Sequence, residues 1–174
     1  MAARRWWIVL PLCLVAAAPE APSAADVAAA INQAGARDTV RQLVAGHQDA
    51  SGMNDWTRVT SQIWHGNPAM IALAPALAEG TDAGMAEDLT ISMAHALALA
   101  PAAVLQAIAG KTRPALRVKA VCGAPFVEGT VPDLAAELRA AHSAVSAVSQ
   151  PDLQAVRGAC LERLEASASE ISHG

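Results

Sequence analysis

The stretch TVPDLAAELRAAHSAVSAV, residues 130–148, decides the fold. Leu134, Leu138, Ala141, Val145 and Val148 recur at steps of four and three, so on an α-helix they form one apolar stripe. Thr130 and Pro132 are read as opening this helix, as a capping residue and an early proline. Ser149-Gln150-Pro151 then turns the chain into a last helix with Leu153, Val156, Cys160 and Leu164 in line. A connection this short sets the two helices antiparallel. The tail, residues 166–174, is expected to fray.

The same grammar runs back through the chain. Asp26 is read as capping a helix that carries Val27, Ala30, Ile31 and Ala34, with Gly35 at its end. Asp38 restarts the chain through Val40, Leu43 and Val44 to Gly46. Asn54 or Asp55 opens a helix whose Trp56, Val59, Thr60 and Ile63 share a face, and Gly66 stands where a left-handed C-terminal glycine belongs. Asn67-Pro68 starts the next helix at once, and Pro75 should kink or split it, because proline removes a donor. From Asp82 to about Leu99 apolar residues fall on two faces, Met85, Leu89, Met93 and Ala96 on one and Ile91, Ala98 and Leu99 on the other. A helix apolar on both sides is packed on both sides. Pro101 opens a further helix through Val104, Leu105 and Ile108. A short helix around Leu116 to Val121 and then a loop complete the less regular segment, residues 111–130. These elements predict an all-α protein, a compact multi-helix bundle or a short stack of helical hairpins with one disulfide. No internal period recurs that would define a repeat array.

The N-terminus reads as an address. Arg4 and Arg5 precede an unbroken apolar run from Trp6 to Ala18, and the small residues Ala21 to Ala25 follow. That order is the signal peptide pattern. The run has 13 residues, against about 20 for a spanning helix. Leu12 before Cys13 is a poor match to a lipid-attachment site, and the Arg4-Arg5 pair lacks the other residues of a twin-arginine signal. Residues 1–25 are therefore read as a cleaved signal peptide, with cleavage after Ala25 or, alternatively, after Ser23. Residues 26–165 make a single helical domain working in the periplasm or outside the cell, with no stable membrane insertion after cleavage.

About 150 residues remain after cleavage, enough to bury one core. Without Arg4, Arg5 and Glu20 the formal net charge moves from −4 to about −5, a sign that disfavours nucleic acid as a partner. Alanine abounds, and it is the strongest helix former. Trp56, Trp64 and Phe126 are the only large aromatics beyond the leader, fewer than platforms that stack bases or sugars would want. Two cysteines remain, Cys122 and Cys160, which in an oxidising compartment read most simply as one disulfide. Such a bridge closes a loop of 38 residues, worth about 4 kcal/mol in the chain-entropy treatment. A metal pair or a redox couple are the rivals, but neither cysteine lies in a CxxC or near a histidine at ligand spacing.

Chemistry is sparse. No two histidines have the i, i+4 spacing of a metal pair on a helix, and no nucleophile elbow, phosphate loop or zinc helix occurs. No cofactor and no metal are implied. His95 shares an apolar face with Ile91 and reads as a buried, hydrogen-bonded residue. His65 complements a helix C-terminus. Glu79, Asp82, Glu87 and Asp88 form an acidic group without the alternating ligands of a calcium loop. Lys111, Arg113, Arg117 and Lys119 make the one basic patch of an acidic chain and are the binding residues expected for an anionic partner, with a solvated face as the alternative.

The pattern Trp56-x6-Ile63-x2-Gly66-x-Pro68, followed by Gly80-Thr81-Asp82-Ala83-Gly84, then Pro101-x2-Val104-Leu105 and the turn Cys122-Gly-x-Pro-Phe126, resembles small secreted alanine-rich helical proteins of Gram-negative bacteria. The resemblance implies an exported helical fold. Its motifs are packing and capping residues, and it transfers no catalytic role. Two functions are expected from the residues. One is a protein-interaction module, acting as adaptor, inhibitor or immunity-like partner of another envelope or extracellular protein. The other is a small all-helical exported enzyme, a mutase or a peptidoglycan-acting hydrolase, with His95, Glu87 and Asp88 as first suspects.

Overall fold

The computed structural model describes residues 21–49, 51–126 and 129–173. The leader from Met1 to Glu20, with its apolar run and Cys13, lies outside them. The chain is all-α, with ten helices and no strand among the described residues. They are α1 Ala24–Ala34, α2 Ala36–Ala45, α3 Asp55–Trp64, α4 Pro68–Ile71, α5 Ala74–Ala78, α6 Ala83–Ala96, α7 Pro101–Ile108, α8 Val118–Val121, α9 Leu134–Ser146 and α10 Gln154–His173. Two 3-10 turns, Pro114–Leu116 and Pro151–Leu153, precede α8 and α10.

Side chains that satisfy the first free N–H groups place the helix starts. Asn54, Asn67, Asp82 and Asp133 each accept from a backbone N–H of the first turn. Ser23 and Asp26 form a reciprocal capping box at α1. The expected opening of α9 at Thr130 is therefore corrected to Asp133, whose carboxylate accepts from Ala136 at 2.9 Å. The helix read as capped by Asp26 is capped three residues earlier, by Ser23, and both bonds read as cleavage sites lie at its start. Pro75 splits its segment outright, leaving α4 and α5 as separate short helices. Gly66 has φ +75°, and a Cβ there would stand 2.9 Å from the Leu99 Cβ, so only glycine suits this corner.

α6 lies at the centre. It packs most extensively on α3 and also touches α5, α7, α8 and the turn at Pro114–Leu116. Leu89, Met93 and Ala96 are fully buried as expected on one side. Beside them, about a quarter turn round the helix, Thr90, Ala94 and, past the helix end, Leu97 are also buried. The opposite face, expected at Ile91, Ala98 and Leu99, is only partly buried at Ile91 and Ala98. Leu99, expected on that second face, is 55% exposed, because α6 ends at Ala96 and Leu99 sits in the turn over Gly66.

α9 and α10 form the last pair, with Leu138, Ala141, Val145, Val148, Leu153, Cys160 and Leu164 all in the core. Arg157 of α10 donates to Ser146 O at 2.8 Å, satisfying a carbonyl at the end of α9, and to Val145 O at 3.3 Å, which also accepts from Val148 N. The tail expected to fray from Ala166 is helical through His173, with Ser167 buried at the α10 surface nearest the core.

Cys122, just after α8, is bonded to Cys160 of α10 with a Cα separation of 5.4 Å. Thiol labelling of the unfolded, unreduced protein is expected to find neither Cys122 nor Cys160 free. Replacing both by serine should cost about 2–4 kcal/mol in urea unfolding while the far-ultraviolet helix signal persists. Two labelled thiols, or an unchanged midpoint, would contradict this assignment.

Candidate functional site

The basic segment is built on the chain between α7 and α10. Lys111, Arg113, Arg117 and Lys119 are all exposed, while Ala115, Leu116, Val121 and Cys122 between and after them are buried. Two anchors hold the segment. Thr90 of α6 donates its hydroxyl toward Ala115 O at 3.0 Å, sharing it with Ala86 O at 2.7 Å. The disulfide fixes the far end to α10.

The four cations differ in what they already touch. Arg113 forks onto Glu79, its Nε donating to Oε1 at 2.8 Å and its terminal nitrogen to Oε2. The guanidinium hydrogen bond holds the Glu79 carboxyl below the usual carboxylate range and raises Arg113 in turn. Both side chains are about half exposed, so the pair positions Arg113 and adds little stability. Arg117 donates from Nε to Thr112 O at 2.8 Å, which stiffens the loop. Lys111 and Lys119 form no ion pair among the described residues.

A further cation, already paired with a carboxylate, lies near the segment from another helix. A Cβ on Gly123 would meet Arg163 Nε at 3.2 Å and Lys119 O at 2.2 Å, so Arg163 of α10 lies against the turn that follows Lys119. Its terminal nitrogens reach Glu170 at 3.2 and 3.4 Å. Arg163 is distant in sequence, and only the Cys122–Cys160 pairing hinted at the proximity.

The acidic residues are dispersed among structural tasks. Glu79 holds Arg113, and Asp82 caps α6. Asp88 accepts from the Trp56 indole N–H at 3.1 Å, and Glu87 is exposed. Among the described residues no group of three or more histidine, cysteine or carboxylate side chains could hold a metal.

A second constellation gathers three helices around His95. The imidazole stacks on the Trp64 indole, with centroids 3.9 Å apart and planes inclined by 13°. Its Nδ1 lies 2.7 Å from Glu137 Oε1 of α9, and the two side chains are 20% and 15% exposed. The carboxylate lies off the line of the ring N–H, so the contact is a close polar pairing without an aligned hydrogen bond. The expectation of a buried, hydrogen-bonded His95 is met only in part: the residue is partly buried, and its Nδ1 makes this close contact without an aligned hydrogen bond. Glu137 was not singled out, although its steps from Leu134 and to Ala141 are three and four, which puts a carboxylate on the apolar face of α9.

Beside this cluster, Thr57, Thr60, Ser61, Trp64, His65 and Ser92 line an open cleft of about 310 Å³. His65 Nδ1 stands 2.7 Å from Ser61 O; since a carbonyl only accepts, that nitrogen carries the proton. The carbonyl also accepts from the His65 backbone N–H, and the place of His65 at the end of α3 is the one expected. A groove of about 270 Å³ also runs between α9 and α10, floored by Leu138 and Leu164 and rimmed by the His142–Glu165 pair.

No protein-family model, curated protein or solved structure matches the chain.

Glu137→Ala leaves the His95 Nδ1 buried and alone, and is expected to destabilise the protein by about 1–3 kcal/mol in urea unfolding. Replacing both His95 and Glu137 by leucine should recover most of that loss, because a polar pair removed together leaves no orphan. If the double variant is as unstable as the sum of the singles, His95 and Glu137 act independently.

Proposed function

We propose that the protein is an exported helical interaction module that docks an anionic surface of another envelope or extracellular protein through Lys111, Arg113, Arg117 and Lys119. One observation carries the reading. The four exposed cations stand on a segment fastened at its middle, by Thr90 to the central helix, and just past its end, by the disulfide to α10. A charged surface held in place loses less side-chain and loop freedom on binding than a mobile one. It also concentrates positive potential on a chain of negative net charge, which steers an anionic partner to one place.

Export rests on the order of charge, apolar run and small residues in the leader and on the paired cysteines. No helix among the described residues is long and apolar enough to cross a membrane. The resemblance to secreted alanine-rich helical proteins of Gram-negative bacteria supports the same compartment. An adaptor, an inhibitor and an immunity-like partner all fit this mode of docking.

The enzyme reading is favoured by a single observation, the convergence of His95 and Glu137. A carboxylate at Nδ1 is the arrangement that orients an imidazole in acid–base catalysis. The other two suspects do not join it, since Asp88 is engaged by Trp56 and Glu87 lies on the surface. The module is the better supported of the two.

Protein recovered from the cell envelope carries the test. Its intact mass should correspond to a chain beginning at Ala24 or Asp26, without lipid. Used as bait in an envelope extract, it should capture a partner that Lys111→Glu with Lys119→Glu no longer holds. The difference should be largest at low salt, because exposed charges are screened beyond about 8 Å at physiological ionic strength. Folding should be unchanged to within about 1 kcal/mol. Equal capture by the variant, or no partner at all, makes the patch a solvated face.

A further inference from the structure

We propose that the cleft beside Trp64 is a binding site for a neutral saccharide ring. Three features of the cleft point to that chemistry. The first is its wall. One side of the Trp64 indole is occupied by the His95 imidazole, itself paired with Glu137, so the indole is held from behind by two further helices. An aromatic platform fixed in this way is preorganised, and a ring ligand with an apolar face can lie against it with little ordering of the protein.

The second feature is an unused donor. Ser92 is 6% exposed, lines the cleft and has no hydrogen-bond partner among the described residues. A serine inside a helix ordinarily bonds back to the carbonyl one turn earlier, as Thr60 and Thr90 do here. Ser92 does not; its hydroxyl opens onto the cleft, where water or a ligand can meet it. Its O–H and lone pairs suit another hydroxyl, which donates and accepts in the same way.

The third is the composition of the lining. Thr57, Thr60 and Ser61 add hydroxyl oxygens, and His65 adds an imidazole whose Nδ1 is already bound to Ser61 O. The hydroxyls of Thr57 and Thr60 give their protons to Asn54 Oδ1 and to backbone carbonyls, so toward the cleft they act as acceptors. No lysine, arginine or carboxylate belongs to the lining. A charged ligand finds no counterion there, whereas a hydroxyl-rich neutral ring finds both donors and acceptors around one stacking surface. The cleft is wide open, which suits one residue of a longer glycan rather than an enclosed metabolite.

The intact protein can be titrated with maltohexaose, cellohexaose and triacetylchitotriose while its indole N–H resonances are followed, that of Trp64 being assigned with Trp64→Phe. At least one of these glycans should shift the Trp64 signal saturably at millimolar concentration, and the signal of Trp56, buried elsewhere in the core, should stay still. Ser61→Ala with Ser92→Ala should weaken the binding about tenfold, the loss expected for two neutral hydrogen bonds. His65→Ala, at an exposed position, should weaken it independently and serves if the double variant folds poorly. Absence of a saturable Trp64 shift with every glycan, or equal binding by the serine and histidine variants, overturns the proposal.

Discussion

Burial of α6 along one broad face, against two sets of neighbours, is the constraint on which the rest of the molecule depends. A helix that presents Leu89 and Met93 to one set of neighbours and Thr90 and Ala94 to another can be stable only when both sets are in place. Small residues at Ala94 and Ala96 allow close approach of those neighbours. The same helix sets the geometry of both candidate sites. Thr90 fastens the basic segment through Ala115 O, and one and a half turns later His95 reaches α3 and α9.

An alanine-rich chain buries less apolar surface per residue than one built on leucine, since each buried methylene adds about 0.8 kcal/mol. Covalent and polar ties matter correspondingly more here. The disulfide, at about 4 kcal/mol, outweighs any exposed ion pair, which is worth less than about 1 kcal/mol. It also acts where regular structure is thinnest, between the four-residue α8 and the long α10. Arg58 ties the loop before α3 in a similar way, reaching Asp49 at 2.9 Å and Asp55 at 3.2 Å from a position only 11% exposed. The Ser51 hydroxyl and then the Arg58 guanidinium hold the Asp49 carboxyl well below the usual carboxylate range. The tie is therefore complete at neutral pH and is released only as pH falls through that lowered value.

Much of this was legible because it is local. Gly66, Asn67-Pro68, Pro75 and the α9 stripe act on their own turns, and a short sequence window contains their whole cause. The start of α9 was misplaced because Thr130 and Asp133 are both good caps, and only the path of the preceding chain chooses between them. Leu99 was placed inside because apolar spacing cannot reveal that the helix ends at Ala96. The tail, expected to fray, is helical and lies beside α9, a neighbour that no short sequence window shows. The candidate sites were less legible still. Lys111, Arg113, Arg117 and Lys119 lie close in sequence, whereas Arg163 and the trio Trp64, His95 and Glu137 are joined only by packing between distant helices.

Native-state hydrogen exchange tests the central claim most directly. If α6 is the shared support, the amides of Leu89 to Ala96 should be among the slowest in the molecule and should exchange only with global unfolding, at the full stability measured by urea. Exchange of those amides through a lower-energy opening, while α9 and α10 remain protected, would show that the terminal helix pair and not α6 holds the structure together.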